Sequence, residues 1–279
     1  MLVIGAGKSG TTSLQHYLGR HPEIFMSDPK EPDYFPRRRW REQLDWYESL
    51  FPEPAPVRGE ASTSYSAYPV FQDVPRRISE LIPDVRLIYL VRDPIDRILA
   101  HYSQHRAIGK DDRPLDEAIR SSLRDGDEKP NPYLCVSSYA TQVEQYLAVF
   151  PAERLLVIDN ADLLEDRRTV LRETFRFLGV DESFSSPAFD EILNPKTDQV
   201  RFNRAGARLR ETRAAELARR RVPPKVRRAL TTPLRRALSE PAERPELSPD
   251  LRDELSERLG PEADRLRELT GKRFATWSV

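Results

Sequence analysis

Cysteine is almost missing from this sequence. Cys135 is the only one in 279 residues, which excludes an internal disulfide and a cysteine-cluster metal site and leaves a buried or unreactive thiol. A charge of one sign is missing too: Lys plus Arg is 45 and Asp plus Glu is 45, so the net charge is zero. Global charge therefore gives no case for nucleic-acid or membrane attraction. No apolar run approaches the roughly 20 residues of a membrane span, and the N-terminus lacks a charged segment followed by a signal-peptide core. These absences predict a soluble cytoplasmic protein, of a length that suits one α/β domain with additions or two small domains.

What is present begins at once. An apolar run, Leu2-Val3-Ile4, leads into Gly5-Ala6-Gly7-Lys8-Ser9-Gly10-Thr11-Thr12-Ser13, and Leu14 to Leu18 continues helically. The pattern reads as strand, glycine loop and helix. Such a loop turns tightly, points N–H groups inward and adds the partial positive charge of a helix start, while Lys8 and the hydroxyls supply further donors. A phosphate or sulfate fits there. The ATPase P-loop, G-x-x-x-x-G-K-[ST], does not match: ending it at Gly7-Lys8-Ser9 needs a glycine where Leu2 stands, and pairing Gly5 with Gly10 puts Thr11 at the lysine position.

Gly7-Lys8-Ser9-Gly10-Thr11-Thr12-Ser13 instead resembles the 5'-phosphosulfate loop of sulfotransferases that use 3'-phosphoadenosine 5'-phosphosulfate (PAPS). Several later stretches resemble the same family in the same order. Lys30-Glu31-Pro32-Asp33-Tyr34-Phe35 is similar to the K-E-x-x-[FY]-F segment of heparan-sulfate-type and related bacterial sulfotransferases, whose Glu is the proposed base. Its two prolines predict a non-helical loop, and spacing alone would make Lys30 and Glu31 a surface ion pair. Asp45-Trp46-Tyr47 resembles the subgroup's D-W-Y, with aromatics for the core or an acceptor-cleft wall. Arg37-Arg38-Arg39-Trp40-Arg41 between them reads as a solvated helix start or as a holder of an anionic acceptor. Gly59-Glu60-Ala61-Ser62 is similar to a strand and turn in which some members carry a catalytic lysine; here that position is Ala61, so the role is absent or passes to Lys30.

A helical segment over 70–81, with Val70, Val74, Ile78 and Leu81 apolar, precedes the most apolar strand, over 85–91. Arg92-Asp93-Pro94-Ile95-Asp96-Arg97 then resembles the family's 3'-phosphate motif R-[DN]-P-x-[DE]-[RV]-x-x-S-x-Y, with Arg92 at the carboxyl end of a strand, where open α/β sheets bind ligands. Without the resemblance, Arg92 would be a structural ion pair with Asp93 or Asp96. The motif serine is replaced by Ala100, and Ser103, one helical turn on, is its candidate substitute. His101 and His105 share the helix as alternative bases or as solvated or core histidines.

Beyond these motifs, 109–132 is polar with a short helix over 115–123. Tyr139, Val143, Tyr146, Leu147 and Phe150 form one buried helical face. The strand over 154–159 looks like a Walker B strand whose Asp159 would hold Mg²⁺ in an ATPase; it also resembles the sulfotransferase strand before Ala161-Asp162-Leu163. Val170, Leu171, Thr174, Phe175 and Leu178 make an amphipathic helix ended by Gly179. In the family a late basic loop covers the adenosine 3'-phosphate; Asn194-Pro195-Lys196 and Arg201-Phe202-Asn203-Arg204 correspond by composition. Residues 206–240 read as Arg-rich and helical, and 247–269 as a helix with Leu251, Leu255, Leu259, Leu266 and Leu269, packing on the sheet or contacting a partner.

The alternation predicts an α/β fold: a mainly parallel sheet with helices on both faces, P-loop-like, with a sulfotransferase domain over 1–205 and a C-terminal helical extension over 206–279. The resemblance implies sulfuryl transfer from PAPS to an acceptor hydroxyl or amine, leaving adenosine 3',5'-bisphosphate (PAP). It implies that Lys8 neutralises the bridging and leaving oxygens and that Gly7, Ser9, Gly10, Thr11, Thr12 and Ser13 cradle the 5' end. Arg92, with Ser103 and Arg204, holds the 3'-phosphate, Glu31 takes the acceptor proton, and no metal is needed. The acceptor is a small molecule, lipid or carbohydrate. Two other classes stand beside this: a Mg²⁺-dependent kinase-like enzyme, and a non-catalytic PAP-binding protein, which Ala61 and Ala100 favour.

Overall fold

The computed structural model describes residues 1–125, 130–193, 200–202, 239–241 and 245–279. Five strands, β1 (Leu2–Gly5), β2 (Ile24–Met26), β3 (Val57–Ala61), β4 (Leu87–Val91) and β5 (Leu155–Asp159), form one sheet in the order β2-β3-β1-β4-β5. Every neighbouring pair is parallel. All of β1 and β4 is buried, as continuous apolar strands covered on both faces must be. The side-chain alternation of a strand divides them: Leu2, Ile4, Leu87, Tyr89 and Val91 enter one core, Val3, Ile88 and Leu90 the other.

Helices supply the outer layers. α1 (Thr11–Leu18) and α8 (Arg167–Leu178), with Leu163 of α7 (Asn160–Glu165), cover the second face; α3 (Val74–Leu81) and α6 (Tyr139–Leu147) cover the first, beyond the short α2 (Leu44–Glu48). α4 (Pro94–Ala107) and α5 (Leu115–Asp125) build a third core with the last helix, α9 (Pro249–Thr270), through Leu251, Leu255 and Leu259. The far end of α9 joins the first core through Ala263 and Leu266, and Arg265 pairs with Glu144 of α6 at 2.7 Å. No helix among the described residues is long and apolar enough to cross a membrane.

The sequence pattern misplaces a few details. The helix expected over 70–81 starts at Val74, because Asp73 is left-handed at φ 61° and Pro75 opens the first turn. Val70 and Phe71 are thus left exposed. Leu269 is exposed rather than on the buried face of α9. Ser239 and Glu240, read as helical, lie in β7 (Ser239–Pro241), antiparallel to β6 (Val200–Phe202). Asn194, Pro195, Lys196, Asn203, Arg204 and the helices expected over 206–238 lie outside the described residues.

The chain leaves β1 toward β2 and β3 on one side and returns on the other side as β4. The carboxyl ends of β1 and β4 therefore flank the switch in strand order, where an open parallel sheet leaves a crevice.

Candidate active site

The loop after β1 fills that crevice. Ala6 N–H donates to Leu90 O of β4 at 2.6 Å and Ser9 N–H to Ala6 O at 3.2 Å, closing a tight turn. Gly10 is left-handed at φ 97°, where a side chain is strained, and a Cβ there would lie 2.6 Å from Asn160 Nδ2 and displace that amide. Lys8 is also left-handed, at φ 74°. The first turn of α1 has no acidic residue to meet its free N–H groups, so that positive end is left for a ligand. Ser9 is fully buried and its hydroxyl has no partner, a donor that an anion's oxygen would satisfy. Thr11 is buried, Ser13 half-buried, and Thr12 exposed at the helix start.

Cations gather on this loop. Arg92 sits just past β4, and its Nη1 lies 3.5 Å from Lys8 O while its Nη2 pairs with Asp96 at 3.0 Å. The ion pair considered from sequence alone is therefore formed, and the guanidinium reaches the loop as well. Burial, then the charges of Arg92 and Arg97, lowers the Lys8 pKa, and Lys30 adds to this against the opposing pull of Glu31. A bound polyanion offsets the charges of these cations and favours the charged lysine. The cations, the orphaned Ser9 hydroxyl and the left-handed glycine together fit a phosphate or phosphosulfate.

Opposite the cradle lies the Glu31 loop. Lys30 Nζ binds Glu31 Oε1 at 2.5 Å and approaches Thr11 Oγ1 at 3.5 Å, so the Lys-Glu pair leans on α1 instead of standing free. Glu31, at φ 58°, donates its N–H to Ala61 O at 3.1 Å, and Asp33 N–H donates to Ser62 Oγ at 3.0 Å. Tyr34 N–H donates to Tyr65 OH at 3.2 Å. Arg37 donates to Pro32 O at 2.8 Å and Asp33 O at 3.0 Å, and Arg77 to Phe35 O at 2.8 Å. Arg37 is thus a staple of this loop and stacks on Trp46, neither a solvated residue nor an open anion holder. Ala61 is fully buried in the second core, whereas Lys30 reaches the cradle.

Behind the loop, Glu60 is fully buried. It accepts from Ser62 Oγ at 2.8 Å, Tyr47 OH at 3.4 Å and the Tyr65 hydroxyl. Burial outweighs these bonds and pushes its pKa up to about 7. Asp33 is raised as well, by burial against the hydrogen bond from Ser64.

The two histidines are committed elsewhere. Tyr133 OH donates to Asp111 Oδ2 at 3.0 Å, so His105 Nδ1, 3.1 Å from the same oxygen, must be the donor to it. His105 Nε2 then accepts from His101 Nε2 at 3.0 Å, and His101 Nδ1 accepts from Arg97 Nη1 at 3.0 Å. Neither ring keeps a free lone pair. Burial, with Arg97, lowers His101 to about 2. Ser103 donates to Leu99 O of its own helix at 2.8 Å, one turn beyond half-buried Ala100. Cys135 is half-buried and burial raises its thiol to about 11, the unreactive state its isolation implied.

Sequence reasoning did not single out Asn160 against Gly10, read Tyr139 only as part of a buried helical face, and named Arg97 only as a motif position. Arg97 is fully buried and bonded to Ser137, Tyr133 O and Pro132 O. Asn160 was findable, since it follows a strand at the sheet's carboxyl edge. Asp159, the Walker B candidate, has both oxygens engaged: Ala161 N–H donates to Oδ1 at 3.1 Å and Trp277 Nε1 to Oδ2 at 3.0 Å. Among the described residues no group of His, Cys, Asp and Glu is arranged to hold a metal ion.

A parallel sheet with a glycine-loop anion cradle and a strand-end arginine at its switch point defines a P-loop-like α/β fold built to bind an anion. The sequence matches the sulfotransferase domain family over residues 1–253, and the chain belongs to that family. It is 32% identical over 192 residues to human bifunctional heparan sulfate N-deacetylase/N-sulfotransferase 3, covering 64% of this chain and 22% of that protein. Against the mouse type 4 enzyme of the same name it is 30% identical over 197 residues, covering 66% and 22%. The chain therefore spans less than a quarter of these curated relatives. A crystal structure of a sulfotransferase from Alicyclobacillus acidocaldarius shares the fold with a TM-score of 0.70 at 24% identity, over 100% of this chain and 98% of that one. The chain is a sulfotransferase by family and by fold.

Proposed function

We propose that this sulfotransferase takes its sulfuryl group from PAPS and delivers it to a hydroxyl or amine of a carbohydrate, lipid or other small acceptor. The observation that carries this reading is the 3.5 Å approach of Arg92 Nη1 to Lys8 O, which supports one doubly phosphorylated nucleotide spanning both groups. When bound, PAPS supplies the activated sulfuryl group. Lys8 stabilises charge on the bridging and leaving oxygens, and Gly7, Ser9, Gly10, Thr11, Thr12 and Ser13 hold the 5' end. Arg92 selects the 3'-phosphate, with Ser103 and Arg204 as further candidates. Glu31, fixed by the Arg37 staple and the Ala61 carbonyl, takes the acceptor proton. The relatives named for heparan sulfate N-sulfotransfer support a carbohydrate amine or hydroxyl among the acceptors. The engagement of both Asp159 oxygens supports chemistry without a metal and weighs against the kinase reading.

Calorimetry with PAP and ATP, each with Mg²⁺ and with EDTA, tests the donor. PAP should bind indifferently to EDTA and far better than ATP; a Mg²⁺-dependent preference for ATP replaces this reading with a kinase. A screen with labelled PAPS against glycosaminoglycans, phenols and lipid alcohols then names the acceptor. PAP binding with transfer to none of them would make the protein a nucleotide sensor.

A further inference from the structure

The residues after α9 return to the donor crevice. Phe274 and Trp277 stack at 4.4 Å, and Trp277 lies against Tyr139 at 5.6 Å. The Trp277 indole donates to Asp159 Oδ2 at 3.0 Å, at the end of β5, and Ser278 N–H donates to Asp93 Oδ2 at 2.5 Å. Asp93 follows Arg92 directly. Its other oxygen accepts from Asp96 N–H at 2.8 Å, so this carboxylate caps α4 and holds the tail at once. Asp96 in turn is the ion-pair partner of Arg92. On the other side of the indole, Tyr139 is buried beside the cradle: burial raises its phenol to about 12 against the pull of Arg97, the Ser9 hydroxyl and the Arg92 backbone. Neither the Tyr139 nor the Ser9 hydroxyl makes a regular hydrogen bond.

We infer that residues 274–279 are a positioning element of the donor site: Ser278, through Asp93, fixes the helix start that orients Arg92, and Trp277, through Asp159, fixes the start of α7, whose Asn160 lies against Gly10. The inference rests on the PAPS reading above. A clip that merely adds stability would not need to end on the residue beside Arg92. Nor would it need to pack against the tyrosine that neighbours Ser9. Here the tail delivers an N–H to each of two carboxylates at the ends of adjacent strands, β4 and β5. Where a metal-dependent nucleotide enzyme would use the second of these for its cation, this chain spends it on an indole. The crevice is thereby tied to the last helix of the fold.

The test uses the full chain with Ser278→Pro, which removes the N–H given to Asp93, and Trp277→Phe, which keeps the ring and removes the indole N–H. Because the lost bond is to a charged acceptor, Ser278→Pro should raise the Kd for PAP and the KM for PAPS about tenfold. Acceptor KM should stay within about twofold, since a separate site is not touched. Trp277→Phe should shift the same two quantities in the same direction, and it carries the test should Ser278→Pro fail to fold. Variants that bind PAP as the wild type does, whatever their Tm, would overturn the inference and leave the PAPS reading standing. A wild type that does not bind PAP would overturn that reading and this inference with it.

Discussion

The two sides of the crevice are built on opposite principles. At the glycine-loop cradle, like charges are brought together: Lys8 feels Arg92, Arg97 and Lys30, the first turn of α1 lacks an acid, and the Ser9 hydroxyl is buried without a partner. Around the Glu31 loop the backbone is already matched. The N–H groups of Glu31, Asp33 and Tyr34 and the carbonyls of Pro32, Asp33 and Phe35 are bonded, and Tyr34 stacks on Tyr47 at 4.1 Å. One side gathers unmatched cations and donors; the other has its backbone groups bonded before anything binds. The difference fits a reaction in which one partner always carries the same charges while the other is defined by the placement of one proton acceptor.

The largest effects should come from the cradle. Lys8→Ala should lower kcat roughly 10²–10³-fold, the cost typical of removing one donor to developing charge. It should also remove a pH dependence: with Lys8 present, anion binding favours its charged form, so PAP affinity should fall as pH rises on the alkaline side of neutrality, and the alanine variant should lose that slope. Calorimetry across pH measures both. In the facing loop, Glu31→Gln should lower kcat about 10²-fold while leaving PAP affinity unchanged. Full activity in that variant would pass the role of base to another group of the acceptor itself, because His101 and His105 are closed into the chain from Arg97 to Asp111.

How much of this was legible beforehand follows the same division. The cradle could be read because glycines, Lys8 and hydroxyls at that spacing have a local cause. The strand-end Arg92 and the parallel sheet could be read because apolar strands alternate with helical periods. Arg37, by contrast, sat in a run of arginines that composition treats as solvated, and only the fold brings Pro32 O and Asp33 O to it. The contact of Trp277 with Asp159 joins positions 118 apart in the chain, and no periodicity encodes such a pairing. Val70 failed for a local reason that was visible: an Asp-x-Pro step at Asp73 and Pro75 marks a helix start, and it outweighs one apolar residue on the extrapolated face.

Glu60 sharpens the comparison through pH. Its folded pKa, about 7, lies above the ordinary carboxyl value, so between roughly pH 4.5 and 7 the folded protein holds a proton that the unfolded chain has lost. Stability from this group is full below that window and declines as pH rises through it, by about 3 kcal/mol in all at 1.36 kcal/mol per pH unit. Glu60→Gln should flatten the wild-type curve of unfolding free energy over the same window. Identical pH slopes in the two proteins would mean that Glu60 is ionised in the fold and that the tyrosine hydroxyls match it fully.

The smallest and most discriminating effect concerns Arg37. Methionine there keeps most of the apolar stem over Trp46 and removes the forked donors to Pro32 O and Asp33 O. Leaving a buried carbonyl without a partner costs about 1–3 kcal/mol, and because these two are only part-buried the loop can avoid much of that cost by moving outward to water. Glu31 would move with it. Acceptor KM should therefore rise and kcat fall, each by about fivefold, since a modest misplacement of a positioned group is enough. PAP affinity should not change, because the cradle is held by β1, β4 and α1 and owes nothing to Arg37. Arg37→Lys should rescue little: an ammonium cannot reproduce the planar fork that meets two successive carbonyls. If Arg37→Met weakens PAP as much as it weakens the acceptor, the Lys30 contact with Thr11 couples the two sides, and the Glu31 loop belongs to the donor site as well.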